Sequence, residues 1–308
     1  MATTAFITHP SCLQHEMGPD HPECPDRLTA IDDQLVASGL APLLARHEAP
    51  AATVEQLARV HERRYVEAIE AAAPAKGLRY LDPDTALNPH SVSAARHAAG
   101  AVVHAVDLVC AGEFQSAFCA VRPPGHHAES RRAMGFCVFN SIAVGAAHAL
   151  AVHGISRVAI VDFDVHHGNG TEEIFSDEPR VLMVSTFQYP LYPYSGVDNP
   201  ASNMVNIPLS AGSGGAEFRD AVREHWLPAL DDHAPELILV SAGFDAHRED
   251  PLAGLAFTED DYAWVTRELA GVAQRHAQGR IVSSLEGGYA LSALGRSVVA
   301  HVRELVTA

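Results

Sequence analysis

The stretch "RVAIVDFDVHHGNGT", residues 157–171, decides the fold. It opens as a short apolar run and closes in aspartate, histidine and glycine. A continuous apolar run of this length reads as a strand covered on both faces, as in a parallel sheet. Alternation along such a strand predicts Asp162, Asp164 and His166 on one side, with Val161, Phe163 and Val165 on the other. Burying two carboxylates without partners costs many kcal/mol, so a cation is their natural companion.

Four further runs have the same character: "SAFCAV" (116–121), "VLMVST" (181–186), "LILVSAG" (237–243) and "RIVSSLE" (280–286). Helical stretches lie between them. In "SVSAARHAAGAVVHAVDLV" (91–109), Val92, Ala95, Ala99, Val102, Val106 and Val109 recur at three- and four-residue spacing. "TEDDYAWVTRELAGVAQRHAQG" opens with Thr258 and Asp261 in capping-box register and stops at Gly279. Strand–helix alternation predicts one α/β domain over residues 1–308 with a mostly parallel sheet. Each strand is followed by a polar loop: "RPPGHHAE", "DVHHGNGT", "STFQYP", "AGFDAHREDP" and "EGGYA". Loops leaving the carboxyl ends of parallel strands build the ligand site, so these five converge on one pocket. That convergence identifies an enzyme.

The composition narrows the partners. With 21 Lys and Arg against 38 Asp and Glu the formal charge is −17, which argues against nucleic acid and suits cationic partners such as lysine-rich peptides or polyamines. The five cysteines are scattered without a CxxC pair, as in a reduced cytoplasmic protein. No apolar run reaches membrane-spanning length, and "MATTAFITHPSC" lacks the pattern of a secretory signal. Among the 19 histidines, His97, His104, His148, His225, His276 and His301 fall in helical segments and are expected at the surface. Nothing in the sequence sets an oligomeric state.

Asp245, in the loop after "LILVSAG", supplies a third ligand to join Asp164 and His166. One nitrogen and two carboxylates, with room for water, make a catalytic zinc site; iron(II) accepts a similar set. His126 and His127 stand on a loop fixed by Pro and Gly, and imidazole titrates near neutral pH as a proton-transfer group must. Asp162 and Asn169 are the candidate partners for their second ring nitrogens. Tyr289, after two glycines, is placed to donate a hydrogen bond to a developing oxyanion.

These residues make the chain resemble the zinc-dependent histone deacetylase superfamily, specifically its bacterial class II-like members. The resemblance runs through "HPECPDR" (21–27), "RPPGHHA", "MGFCVFN" (134–140), "VDFDVHHGNGT", "GFDAHREDPLAGL" (243–255) and "LEGGY". It implies an arginase-like three-layer α/β/α fold around an eight-stranded sheet, with zinc at Asp164, His166 and Asp245. It further implies His127 as general base, His126 as its electrostatic aid and Tyr289 as clamp on the acyl oxygen. Gly135, Phe136 and Tyr192 would line a channel for an acyl-lysine stem, with Arg27 beneath and Asp84 at the rim. A structural monovalent cation, K+ or Na+, would use the Asp162 and Ser185 side chains, with Thr186, Phe175 and Val181 nearby.

Two departures stand out. Asn169 replaces the aspartate of class I members, which makes its histidine partner less basic. Cys24 replaces an arginine common in the first motif. The ureohydrolases share the fold but need acidic second-metal ligands where this chain has Gly168 and His247. The implied activity is removal of acetyl or other acyl groups from lysine in peptides or proteins; the alternative is an acetylpolyamine or another small acylated amine. Polyamine-specific relatives carry an insertion where "KGLRYLDPDTALNPHS" (76–91) is short.

Overall fold

The computed structural model describes residues 4–307. Eight strands form one parallel sheet: β1 (Thr4–Thr8), β2 (Leu44–Glu48), β3 (Ser116–Cys119), β4 (Val158–Asp162), β5 (Val181–Gln188), β6 (Met204–Leu209), β7 (Leu237–Ala242) and β8 (Ile281–Leu285). Their order across the sheet is β2-β1-β3-β8-β7-β4-β5-β6. The five strands foreseen in the sequence are therefore the five adjacent central ones. All are buried along their length, which is why each reads as an unbroken apolar run. The edge strands β2 and β6 mix buried with partly or fully exposed positions, and their sequences carry no comparable signal.

Helices flank the sheet. Helices Ser91–Cys110 and Ser141–Val152 pack together and against the central strands, as do Glu259–His276 and Leu291–Thr307. In the first of these Ala95, Ala99, Val102, Val106 and Val109 are buried as the spacing predicts, while Val92 is only partly so. Thr258 and Asp261 form the expected capping box. Among the described residues no helix is long and apolar enough to cross a membrane.

The surface expectation fails for two histidines. His301 is fully buried because it shares the sheet-facing stripe of its helix with Val298, Val302 and Leu305. Its two ring nitrogens meet Thr266 Oγ1 at 2.6 Å and Ser283 Oγ at 2.8 Å, and burial pushes its pKa down to about 3. His148 is also buried, between Asp107 and Arg59.

Candidate active site

β3, β8, β7, β4 and β5 are neighbours, so the loops that leave them gather at one end of the sheet. The site begins where β4 stops, at Asp162. Asp164 and His166 thus lie beyond the pleat, and alternation is not what brings them together. Backbone N–H groups do it instead. Asp164 N donates to Asp162 Oδ1 (3.1 Å), His166 N to Asp164 Oδ1 (2.9 Å) and Val165 N to Asp245 Oδ1 (2.9 Å). From the β8 loop, Gly287 N reaches Asp164 Oδ2 at 2.8 Å. That approach requires glycine, since a Cβ on Gly287 would lie 2.0 Å from Asp245 Oδ2 and 2.6 Å from Asp164 Oδ2.

Three donor atoms remain aimed at one another. His166 Nδ1 lies 3.0 Å from Asp164 Oδ1 and 3.1 Å from Asp245 Oδ2. Asp164 and Asp245 are buried, and the Asp245 Oδ2 atom has no hydrogen-bond partner. Burial and the Asp164 charge push the Asp245 carboxyl up to about 6. Burial opposes a charged His166, but the Asp164 and Asp245 carboxylates beside it outweigh that and raise it to about 10. An orphaned carboxylate oxygen in the interior is costly, and a divalent cation answers the need directly. One nitrogen and two carboxylates fit zinc or iron(II). The cluster meets the geometric demand on a metal site, with all three donor atoms within 4.8 Å of one another.

The histidine pair is differentiated by its partners. His126 Nδ1 lies 2.9 Å from Asp162 Oδ2, and Asp164 Oδ1 is 3.8 Å from its Nε2. Burial disfavours its charge, yet the Asp164 and Asp162 carboxylates hold it well above the ordinary histidine range. His127 goes the other way: burial first, then the charges of His126 and His166, hold it well below that range. Its Nδ1 is 2.8 Å from Asn169 Oδ1. The Asn169 amide nitrogen is committed to Glu129 Oε1 at 2.9 Å, so the oxygen faces His127 and Nδ1 carries the proton. The Nε2 lone pair is left free. The surroundings thus push the two imidazoles in opposite directions, His126 toward the cation and His127 toward the neutral ring.

Beside them is a cavity of about 240 Å³ lined by Asp84, His127, Gly135, Phe136, His166, Leu191, Tyr192, Leu252 and Tyr289. Phe136 stands edge-on to Tyr289 at 5.9 Å, and Tyr192 edge-on to His127 at 5.2 Å. Gly135 and Phe136 are consecutive left-handed residues (φ 57° and 67°), a strained turn that presents the Phe136 ring. Arg27 is fully buried and does not line this cavity. It donates to the carbonyls of Glu286 (2.5 Å) and Gly288 (2.7 Å), with its guanidinium 5.0 Å from the Tyr289 ring centre. Its place is beneath the tyrosine loop.

The monovalent-cation residues separate. Asp162 and Ser185 are register partners on β4 and β5, and Ser185 Oγ donates to Asn206 Oδ1 at 3.1 Å. Thr186 Oγ1 is buried without a partner. The carbonyls of Phe175 and Val181 accept instead from the Asn203 amide, at 2.8 and 2.9 Å.

Four supporting residues went unread in the sequence. Glu286 Oε2 accepts from Gly125 N (2.6 Å) and His126 N (3.1 Å), pinning the histidine loop. Asp250 Oδ2 accepts from Tyr289 N at 2.7 Å. Thr85 Oγ1 accepts from Phe136 N (3.0 Å) and donates to Asp84 Oδ1 (2.8 Å), while Glu129 fixes Asn169. Glu286 and Asp250 lie inside conspicuous motifs, but nothing local marks a carboxylate as a clamp on a distant backbone.

The ureohydrolase ligand positions are filled in ways that leave no second metal. A Cβ on Gly168 would lie 2.4 Å from Asp162 Oδ2, and His247 faces Glu259 at 3.5 Å.

A family profile described as Histone deacetylase domain matches residues 21–305. A Histone deacetylase-like amidohydrolase of Pseudomonas aeruginosa is 37% identical over 98% of this chain and 86% of its own length. The Polyamine deacetylase HDAC10 of Homo sapiens is 37% identical over 98% of this chain and 48% of its own. Among solved structures, the HDA15 HD domain superposes with a TM-score of 0.92 at 35% identity, covering 99% of this chain and 88% of that one. Sheet, site residues and similarity agree: the chain belongs to the histone deacetylase family of hydrolases.

Proposed function

We propose that the chain is a single catalytic unit that removes acetyl or other acyl groups from lysine side chains of peptides or proteins in the cytoplasm. The observation that carries this reading is the unpartnered Asp245 Oδ2 beside Asp164 and His166, bordering an aromatic-walled cavity. Asp164, His166 and Asp245 would hold zinc, which when bound supplies Lewis acidity toward an acyl oxygen and makes a water more acidic. His127, neutral and with a free Nε2, takes the proton of the attacking water. His126, cationic between Asp162 and Asp164, stabilises negative charge and returns a proton to the departing amine as the C–N bond breaks. The Tyr289 hydroxyl donates to the acyl oxygen, and Asp250, Glu286 and Arg27 keep these loops in place. A monovalent cation, K+ or Na+, is assigned to Asp162 and Ser185.

Phe136 and Tyr192 suit a linear methylene stem, which lysine and polyamines both provide. The name of the human relative keeps the acetylpolyamine reading in play. Two observations favour lysine: the 76–91 segment is short, and the cavity wall carries Leu191 and Leu252 with Asp84 as its one carboxylate. Asp84 is then available to accept hydrogen bonds from a peptide backbone. The test is kcat/KM for an acetyl-lysine peptide against acetylputrescine and acetylspermidine. The peptide should win; a polyamine preferred tenfold or more would refute the peptide reading and leave the amide hydrolysis standing.

A further inference from the structure

The loop "YPLYPYSGVDN", residues 189–199, leaves the end of β5 and carries Tyr192. Between Pro190 and Asn199 the described residues show one backbone–backbone bond, from Tyr194 N to Leu191 O at 2.8 Å. The loop's own backbone thus does little to hold it, and two groups outside it do more. The first is Asn206 on β6, whose Nδ2 donates to Gly196 O and to Glu172 Oε2, each at 3.0 Å. A carbonyl and a carboxylate only accept, so the amide nitrogen must face them. Asn206 Oδ1 accepts from Ser185 Oγ, its register partner on β5, which fixes the amide from the other side. The second group is His167, buried under the loop. Gly196 has φ 90°, and a Cβ there would lie 2.7 Å from His167 Cγ, so only glycine lets the loop rest on the ring. The ring is wedged by Phe187, 4.7 Å away between ring centres, and its Nε2 donates to Glu172 Oε2. Glu172 Oε2 therefore joins Asn206 and His167 into one seat for Gly196.

We propose that Asn206, with Glu172 and His167 and through Gly196, positions Tyr192 in the channel wall and so sets how closely a substrate stem is gripped. The channel itself rests on the deacylation reading above. Tyr192 stands edge-on to His127 and, at 6.3 Å, to His166, so a shift of its loop moves one wall against fixed imidazoles. The facing wall, Phe136, is held separately by Thr85. Asn206 does not line the cavity and acts only through the loop, as a positioning residue. Its loss loosens the grip on bound substrate and transition state alike, which raises KM and spares kcat.

The experiment compares the wild type with Asn206→Ala, Tyr192→Ala and the double variant on an acetyl-lysine peptide. Asn206→Ala should raise KM about fivefold, the worth of one aromatic contact, with kcat held within about twofold. Adding it to Tyr192→Ala should raise KM no further, because its effect runs through that ring. Equal increments in KM in the two backgrounds would overturn the proposal, as would a fall in kcat with KM unchanged. Backbone amide exchange over residues 191–199 needs no turnover. Losing the Gly196 bond should speed it about fivefold while β4 and β5 keep their protection. If the wild type does not hydrolyse the peptide, the deacylation reading falls and exchange alone decides the positioning role. Unchanged exchange over 191–199 overturns that role in either case. Should Asn206→Ala fail to fold, Gly196→Ala tests the same seat from the loop side. Its Cβ meets His167, so KM must rise and exchange must quicken; if neither changes, the proposal again fails.

Discussion

Among the described residues, two places bring aspartate and histidine together in threes at metal-binding distance: Asp164, His166 and Asp245 at the strand ends, and Asp107, His148 and His153 between two helices. In residue types alone the helical cluster is as good a candidate as the other. It differs in how its charges are already answered. Asp107 Oδ1 takes both imidazoles, at 2.8 and 2.6 Å, its side chain is 46% exposed, and Arg59 meets the far nitrogen of His148 at 2.8 Å. One carboxylate therefore faces two imidazoles and a neighbouring guanidinium, and water reaches the rest. At the strand ends two carboxylates with 0–1% exposed side chains share one imidazole, and an oxygen is left over. A buried, unanswered oxygen marks the functional site.

Substitutions can break this contrast, and the largest effect falls on the ligands. Asp164→Ala removes a donor and should cost both the bound divalent metal and all measurable deacylation, read by metal analysis and turnover of an acetyl-lysine peptide. Full metal occupancy in that variant would void the ligand assignment. Tyr289→Phe keeps the ring packed on Phe136 and removes only the hydroxyl. Metal content and Tm should hold while kcat drops by about 10²–10³, the usual cost of one oxyanion donor. Near-normal kcat would reduce Tyr289 to a packing residue.

The pH profile sharpens the difference between the paired histidines. His127 must be neutral to accept a proton, and its pKa is held well below 6.5 by burial, His126 and His166. As pH falls, kcat/KM should stay on its plateau through 6.5 and decline only further down, where His127 gains a proton. A decline centred at pH 7 or above would mean that another group is the base. The smallest effect belongs to the helical cluster. Asp107→Asn breaks a half-exposed ion pair and should change stability by less than about 1 kcal/mol, with metal content and kcat untouched.

Much of the site was legible because its chemistry is concentrated. Asp164, His166 and Asp245 follow apolar runs that only buried central strands produce, and His126 and His127 stand on a loop that Pro and Gly fix. The mechanism of their approach was not legible. Pleat alternation does not bring Asp164 to His166, because the chain leaves the sheet at Asp162 and backbone N–H groups shape the bend. His301 was read as surface because one helix stripe cannot be told from its opposite when the residue is histidine. Edge strands β2 and β6 left no trace because partial exposure dilutes their apolar pattern.

The central claim is that the leftover Asp245 oxygen marks a bound divalent ion on which turnover depends. Metal analysis of the purified chain, followed by chelation and readdition of zinc while acetyl-lysine peptide turnover is recorded, addresses it directly. About one divalent ion per chain, loss of turnover on stripping and its return with zinc are the expected results. A metal-free chain that hydrolyses the peptide at the full rate would contradict the account.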